Sequence, residues 1–65
     1  MTETNIDARG MRCPWPALRL ARAMREAAVV RILADDPAAP REISALAAQH
    51  GWHVVIEDEA LVVSR

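Results

Sequence analysis

Apolar residues recur along the chain at two spacings, one typical of helices and one typical of strands. Between Pro14 and about residue 27 they recur every three or four positions, which predicts a helix with one buried face. The same spacing predicts a second helix that begins near Pro40, runs to His50 and stops at Gly51, a residue type common at helix ends. The predicted inward-facing residues are Ala17, Leu20, Ala21, Met24 and Ala27 in the first helix and Ile43, Leu46 and Ala47 in the second.

Four other segments have the pattern of strands. NIDA at 5–8 predicts a short strand with Ile6 inward, and the β-branched VVRIL at 29–33 predicts a buried strand. Residues 52–57 alternate in polarity, and residues 60–65 follow after a tight turn, so these two segments are expected to form an antiparallel hairpin. On the inward side of the third strand we expect Trp52, Val54 and Ile56.

The predicted element order is βαβαββ, in a single domain that covers residues 1–65, with residues 1–4 frayed. The β-α-β crossovers favour parallel strands and right-handed connections. Both helices then lie on the same face of a four-stranded mixed sheet. The predicted fold class is therefore α/β, a two-layer sandwich.

The single cysteine, Cys13, limits the kind of protein this can be. One cysteine forms no internal disulfide, and no secretory signal is recognisable, so a reducing cytoplasm is the expected location. No apolar run reaches the roughly 20 residues that span a bilayer, so no membrane partner is expected. Because small zinc sites usually have four Cys or His ligands, Cys13, His50 and His53 are too few, and neither metal nor another cofactor is expected.

Charge is distributed unevenly along the chain. Residues 1–31 contain six Arg and three acidic residues, whereas residues 32–65 contain two Arg and six acidic residues. All the basic residues are Arg, which suits forked contacts to carboxylate or phosphate. Because the net charge is −1 and Trp15 and Trp52 are the only aromatic residues besides histidine, direct binding of nucleic acid is not expected.

The segment DARGMRCPWP at 7–16 places Cys13 immediately before the predicted first helix. A helix N-terminus and the nearby Arg9 and Arg12 would favour the thiolate and lower the pKa of the thiol. A lone cysteine is more often a small buried hydrophobe. Here the neighbours are Arg12 and Pro14 rather than an apolar run, so we expect a partly exposed, nucleophilic sulfur.

Few reactions suit one nucleophilic cysteine. A hydrolase needs a base, and the predicted topology places His50 and His53 at the edge of the sheet opposite Cys13. A two-cysteine oxidoreductase is excluded by the cysteine count. A thiol that takes up a group and passes it on remains, and sulfur carried as a persulfide is the simplest cargo.

The same residues resemble a known family. DARGMRCPWPALRL at 7–20 resembles the signature of the TusA/SirA-like sulfur-carrier family, in which a strand leads through Asp, Gly and a Cys-Pro-x-Pro element into the first helix. LADDPAAPREI at 33–43 resembles a second landmark, an Asp-Pro before the second helix. Family members often have a Pro-Gly-type turn after the first helix, which REAAVVRIL at 25–33 lacks, so that turn is short or the helix ends early.

The resemblance implies a βαβαββ fold and sulfurtransferase activity. Cys13 would accept sulfane sulfur from a cysteine desulfurase and relay it to an acceptor protein. Destinations in the family include 2-thiolation of the wobble uridine of tRNA, molybdoenzyme maturation and sulfur oxidation. The alternative is a binding or regulatory module without catalysis, which docks through a face formed by Trp15, Arg19 and Arg22 and in which Cys13 is structural.

Other residues are assigned supporting parts. Asp7 is expected to accept hydrogen bonds from Arg9 or the backbone, and Gly10 to allow the turn of the loop. Around Cys13 the supporting residues are Asp7, Arg9, Gly10, Arg12, Pro14 and Pro16. An outward patch for partner docking comprises Trp15, Leu18, Arg19 and Arg22, and the cap of the second helix comprises Asp35, Asp36 and Pro37.

Overall fold

A computed structural model describes residues 3–65 of the chain. They form four strands and two helices in the predicted order. The elements are β1 (Glu3–Asp7), α1 (Trp15–Ala23), β2 (Val29–Leu33), α2 (Ala39–His50), β3 (His53–Glu57) and β4 (Ala60–Ser64).

The strands form one mixed sheet in the order β1-β2-β4-β3. β1 pairs with β2 in parallel, and β4 is antiparallel to both β2 and β3. The carboxyl ends of β1, β2 and β3 therefore lie at the same edge of the sheet. The helices α1 and α2 begin close to this edge, because each follows a strand that ends there. This predicted α/β arrangement is confirmed.

One face of the sheet is covered by both helices. The register places Ile6 beside Ile32 and Ile32 beside Leu61, so their side chains share one face. These residues form a single buried cluster with the inward side chains of both helices. The helix residues in that cluster are Leu20, Ala39 and Ile43, and Met24 joins them from the turn after α1, as expected for a two-layer sandwich.

The first helix is shorter than its apolar pattern predicts. It ends at Ala23, although Met24 and Ala27 remain buried in a following turn. Arg65 stabilises this turn, because its Nη2 donates to the carbonyl oxygens of Met24 at 2.8 Å and Ala27 at 3.1 Å. A residue from the far end of the chain thus replaces hydrogen bonds that further helix would have made.

Two other sequence-based expectations need correction. Glu3 and Thr4, which we expected to be frayed, are part of β1; residues 1 and 2 lie outside the described residues. Ile56 was expected to be inward, but its side chain is 63% exposed. It does share a face with Val54, yet β3 is an edge strand, so its outer side has no neighbouring strand to cover it.

Between residues 3 and 65, neither helix is long and apolar enough to cross a membrane. Within the same residues, no group of three His, Cys, Asp or Glu side chains is arranged to bind a metal ion.

Leu20 and Leu18 provide a test of which face of α1 is buried. Leu20 is fully buried and Leu18 is 53% exposed. Leu20→Ala should lower the free energy of unfolding by about 2 to 5 kcal/mol. The matched Leu18→Ala should change it by no more than about 0.5 kcal/mol. Urea denaturation followed by circular dichroism measures both, and equal losses would contradict this packing.

Candidate functional site

The site lies at the edge of the sheet where β1 and β2 end. Residues 8–14 connect β1 to α1, and residues 34–38 connect β2 to α2. Because β1 and β2 are adjacent and parallel, these two connections leave the sheet side by side. Ala8 begins the first connection with a backbone hydrogen bond to the Leu33 carbonyl at 2.7 Å.

Two carboxylates of the second connection hold the backbone of the first. The N–H of Gly10 donates to Asp35 Oδ1 at 2.9 Å, and the N–H of Cys13 donates to Asp36 Oδ2 at 2.9 Å. Gly10 has a φ of +85°, a conformation that glycine adopts at little cost. The predicted turn at Gly10 is thereby confirmed, and the position of the Cys13 backbone is set by side chains from the next β-α connection.

Asp7 and Arg9 form a separate exposed pair. Asp7 Oδ1 accepts hydrogen bonds from the backbone N–H and the Nε of Arg9, and Oδ2 accepts one from Nη2 at 2.8 Å. The guanidinium side-chain bonds, followed by the backbone bond, lower the pKa of Asp7 to about 2. The predicted interaction is confirmed. It also engages Arg9 with Asp7 rather than with Cys13.

The thiol of Cys13 donates to a carboxylate that the sequence did not suggest. Cys13 Sγ lies 2.7 Å from Glu42 Oε1, and both residues are half-buried. This hydrogen bond, burial, and the negative charges of Glu42 and Asp36 raise the pKa of Cys13 to about 11, against a smaller opposing effect of Arg41. These groups therefore favour the thiol of Cys13 over its thiolate.

The expected lowering of the Cys13 pKa is wrong for the free protein. α1 begins at Trp15 with Pro14 as its N-cap, so Cys13 lies one residue further from the helix than expected; the Cys13–Pro14 peptide bond is cis. Its own N–H is bound to Asp36. Carboxylates thus surround the sulfur more closely than the predicted cations do.

The predicted cap of the second helix also needs correction. Asp35 binds Gly10 and makes no cap. Asp36 Oδ1 accepts from the N–H of Ala38 at 2.8 Å, which closes a turn just before the helix. The N-cap of α2 is Ala38, without a side-chain hydrogen bond, and Pro37 lies in the turn.

The histidines lie where the topology predicted. His50 ends α2 and His53 begins β3, at the edge opposite Cys13. The His50 ring stacks on Trp52 with 4.3 Å between ring centroids. Neither histidine is placed to act as a base for Cys13.

The outward face of α1 is apolar and cationic. Trp15 is 60% exposed and Leu18 53% exposed, with Arg19 and Arg22 exposed beside them. Between Trp15 and the cysteine loop runs a shallow groove lined by Gly10, Met11, Arg12, Trp15 and Arg19. Pro16 is buried at the start of the helix. The predicted outward orientation is confirmed for Trp15, Leu18, Arg19 and Arg22. Their role in docking stays a prediction.

Nearly the whole length of the chain matches one protein family. A sequence model described as "Sulfurtransferase TusA" matches residues 4–64. The chain belongs to the TusA family.

Individual relatives agree with this TusA assignment. A "Putative sulfur carrier protein" of Archaeoglobus fulgidus is 42% identical over 53 residues, which cover 77% of this chain and 69% of the relative. Proteins of the same description from Neisseria meningitidis serogroups A and B are each 35% identical, covering 88% of this chain and 80% of theirs. The crystal structure of a SirA-like protein from Desulfitobacterium hafniense has a TM-score of 0.76 and 25% identity, covering 95% of this chain and 92% of that one.

Glu42 is the site residue that sequence reasoning missed. It lies 29 positions after Cys13, and no local spacing connects the two. The available signal was topological, because α2 begins at the same edge as the cysteine loop. A charged residue in the first turn of α2 was therefore a candidate neighbour of Cys13.

Asp36→Asn tests the contact between the two connections. Hydrogen bonds from the N–H groups of Ala38 and then Cys13 lower the pKa of Asp36 in the folded protein. Such a group stabilises the fold fully above its unfolded pKa of about 3.9 and loses that effect as pH falls through the lower folded value. The variant should therefore melt at a lower temperature than wild type at pH 7, by a difference that shrinks below about pH 4.

Asp58→Asn is the matched control, because Asp58 is exposed in the β3–β4 turn and asparagine tolerates its φ of +54°. Melting curves by circular dichroism between pH 7 and pH 2 measure all three proteins. A deficit in Asp36→Asn that stays constant over that range would contradict a charged anchor.

Proposed function

We propose that this TusA-family protein is a sulfur carrier that holds sulfane sulfur as a persulfide on Cys13. The observation that carries the proposal is the position of this one free thiol in the family's Cys-Pro-x-Pro element. Cys13 is half-buried in the loop that leads into α1, and the outward side of that helix exposes Trp15 and Leu18. A partner's cysteine can therefore approach Cys13 while Trp15 and Leu18 provide apolar contact area.

The proposed transfer requires no external oxidant. The sulfur of Cys13, on losing its proton, attacks the terminal sulfur of a persulfide on the donor's cysteine. A bond forms between Cys13 Sγ and that sulfur, the donor's S–S bond breaks, and the donor's cysteine leaves as a thiolate and takes up the proton. Discharge to an acceptor cysteine repeats the same exchange, in which the acceptor attacks the terminal sulfur and Cys13 leaves.

A cysteine desulfurase is the donor we propose, and a second protein carrying a reactive cysteine is the acceptor. The first destination we propose is 2-thiolation of tRNA wobble uridine; molybdoenzyme maturation and sulfur oxidation are the alternatives. Transfer between proteins requires no direct contact between this chain and nucleic acid. A reducing cytoplasm suits a carrier whose thiol must be free between cycles.

The loading reaction can be measured by intact-protein mass spectrometry. Incubation with a cysteine desulfurase and cysteine should add one sulfur atom, which a thiol reductant removes and which peptide mapping places on Cys13. Cys13→Ser should gain none. A gain that persists in Cys13→Ser, or no gain by a folded wild type whose Cys13 can be alkylated, would overturn the carrier function.

The docking surface is tested with the same donor. Trp15→Ala should weaken binding of the desulfurase roughly tenfold, because exposed Trp residues at interfaces often contribute most of the affinity. Arg19→Glu should reduce the association rate and its dependence on salt. Arg25→Glu, beyond the far end of α1, makes the same charge change away from the cysteine and is the control. Biosensor kinetics that show equal effects in all three variants would contradict docking through this face.

A further inference from the structure

Glu42 accepts the hydrogen bond that the thiol of Cys13 donates. It lies in the first turn of α2 and is the acidic residue of that turn. Its half-buried side chain reaches across to the cysteine loop, where Oε1 accepts the thiol at 2.7 Å. The backbone N–H of Cys13 is bound separately by Asp36, which helps to keep the cysteine beside Glu42.

Ionisation of Cys13 in this arrangement would place two negative charges in contact. Of the charged groups that face the sulfur, Glu42 and Asp36 oppose the thiolate, and Arg41 favours it but with less effect. Arg12, which precedes the cysteine, is exposed, and its charge acts on Asp36. Because alkylation and oxidation both proceed through the thiolate, this arrangement should slow both reactions in the free protein.

We propose that Glu42 is a positioning residue that keeps the unloaded Cys13 as a protected thiol, and that the sulfur partner releases it by bringing a cationic side chain to Glu42. This inference rests on the proposed role of Cys13 as the sulfur-carrying residue. The partner's cation pairs with the Glu42 carboxylate, which weakens the bond that holds the thiol proton. The proton then passes to the departing cysteine of the donor, in the exchange described above.

The proposal also defines the chemistry of the partner surface. The docking face of α1 carries Arg19 and Arg22, which favour acidic partner groups. On the other side of Cys13 lie Asp35, Asp36 and Glu42, which favour basic ones. A productive partner therefore presents an acidic region towards α1 and a basic group towards the start of α2, with its own reactive sulfur between them.

The first experiment measures the reactivity of Cys13 without any sulfur donor. Rates of alkylation by iodoacetamide are recorded from pH 7 to 10 for wild type, Glu42→Gln and Glu26→Gln. Glu26, at the opposite edge of the sheet, provides the same loss of charge away from the cysteine. If Glu42→Gln restores an ordinary cysteine, the thiolate fraction at neutral pH rises about a hundredfold and intrinsic nucleophilicity falls about tenfold, a net gain of about tenfold.

The second experiment tests the requirement for a cation. Methanethiosulfonate reagents of similar size carry either an ammonium or a sulfonate group, and each forms a disulfide with Cys13 and releases methanesulfinate. Wild type should react several-fold faster with the cationic reagent than with the anionic one, relative to the same protein unfolded in urea. In Glu42→Gln the ratio of the cationic to the anionic reaction rate should fall to about one or below. In Glu26→Gln the ratio should stay at the wild-type value.

These outcomes separate the proposal from the carrier function. Coincident alkylation profiles for wild type and Glu42→Gln, or no charge preference in native wild type, would overturn the role of Glu42 whether or not Cys13 accepts sulfur. If the alkylation profiles of wild type and Glu42→Gln differ but Cys13 never gains sulfur, the role of Glu42 is supported and the carrier function is overturned. Circular dichroism verifies folding of each variant. If Glu42→Gln does not fold, Glu42→Asp takes its place in both experiments, since its shorter side chain withdraws the carboxylate from the thiol.

Discussion

The site depends on a contact between two adjacent β-α connections, residues 8–14 and residues 34–38. The loop after β1 exposes the N–H groups of Gly10 and Cys13, which lie in neither helix nor strand. Asp35 and Asp36 accept both, and each bond to a carboxylate is stronger than one between neutral groups. Parallel pairing of β1 with β2 brings the two segments together, so the sheet topology determines where the cysteine lies.

The same aspartate connects the loop to the second helix. One oxygen of Asp36 holds the Cys13 backbone while the other holds the turn at Ala38, from which α2 begins. The start of α2 is thereby fixed relative to the cysteine, and Glu42 in its first turn reaches the thiol. The thiol bond is thus the last of a series in which each contact positions the next, and this explains how an exposed loop can hold one sulfur atom in one direction.

Much of the fold follows from local patterns. β2 was predicted at its observed bounds, and α2 near its observed start, because β-branched runs and prolines act within a few residues. An early end of α1 was one of the two alternatives that the missing Pro-Gly turn left open, but its position could not be predicted, because the turn that replaces the last part of the helix is held by Arg65, some 40 residues away. The choice of Cys13 as the candidate reactive residue also rested on local information, since it is the single cysteine and lies in the loop after β1.

The protonation of Cys13 depends on tertiary contacts, and the charges nearest to it along the chain are a misleading guide to it. Arg9 and Arg12 are its nearest charged neighbours along the chain, but Arg9 is paired with Asp7. Folding brings the acidic second half of the chain against the basic first half, so carboxylates become the nearest charges in space. For a carrier this arrangement separates two requirements, since a thiol that must persist unloaded needs protection, and a thiol that must react needs a partner able to remove it. In the role proposed for Glu42, a carboxylate on a different element from the cysteine allows docking to affect one without displacing the other.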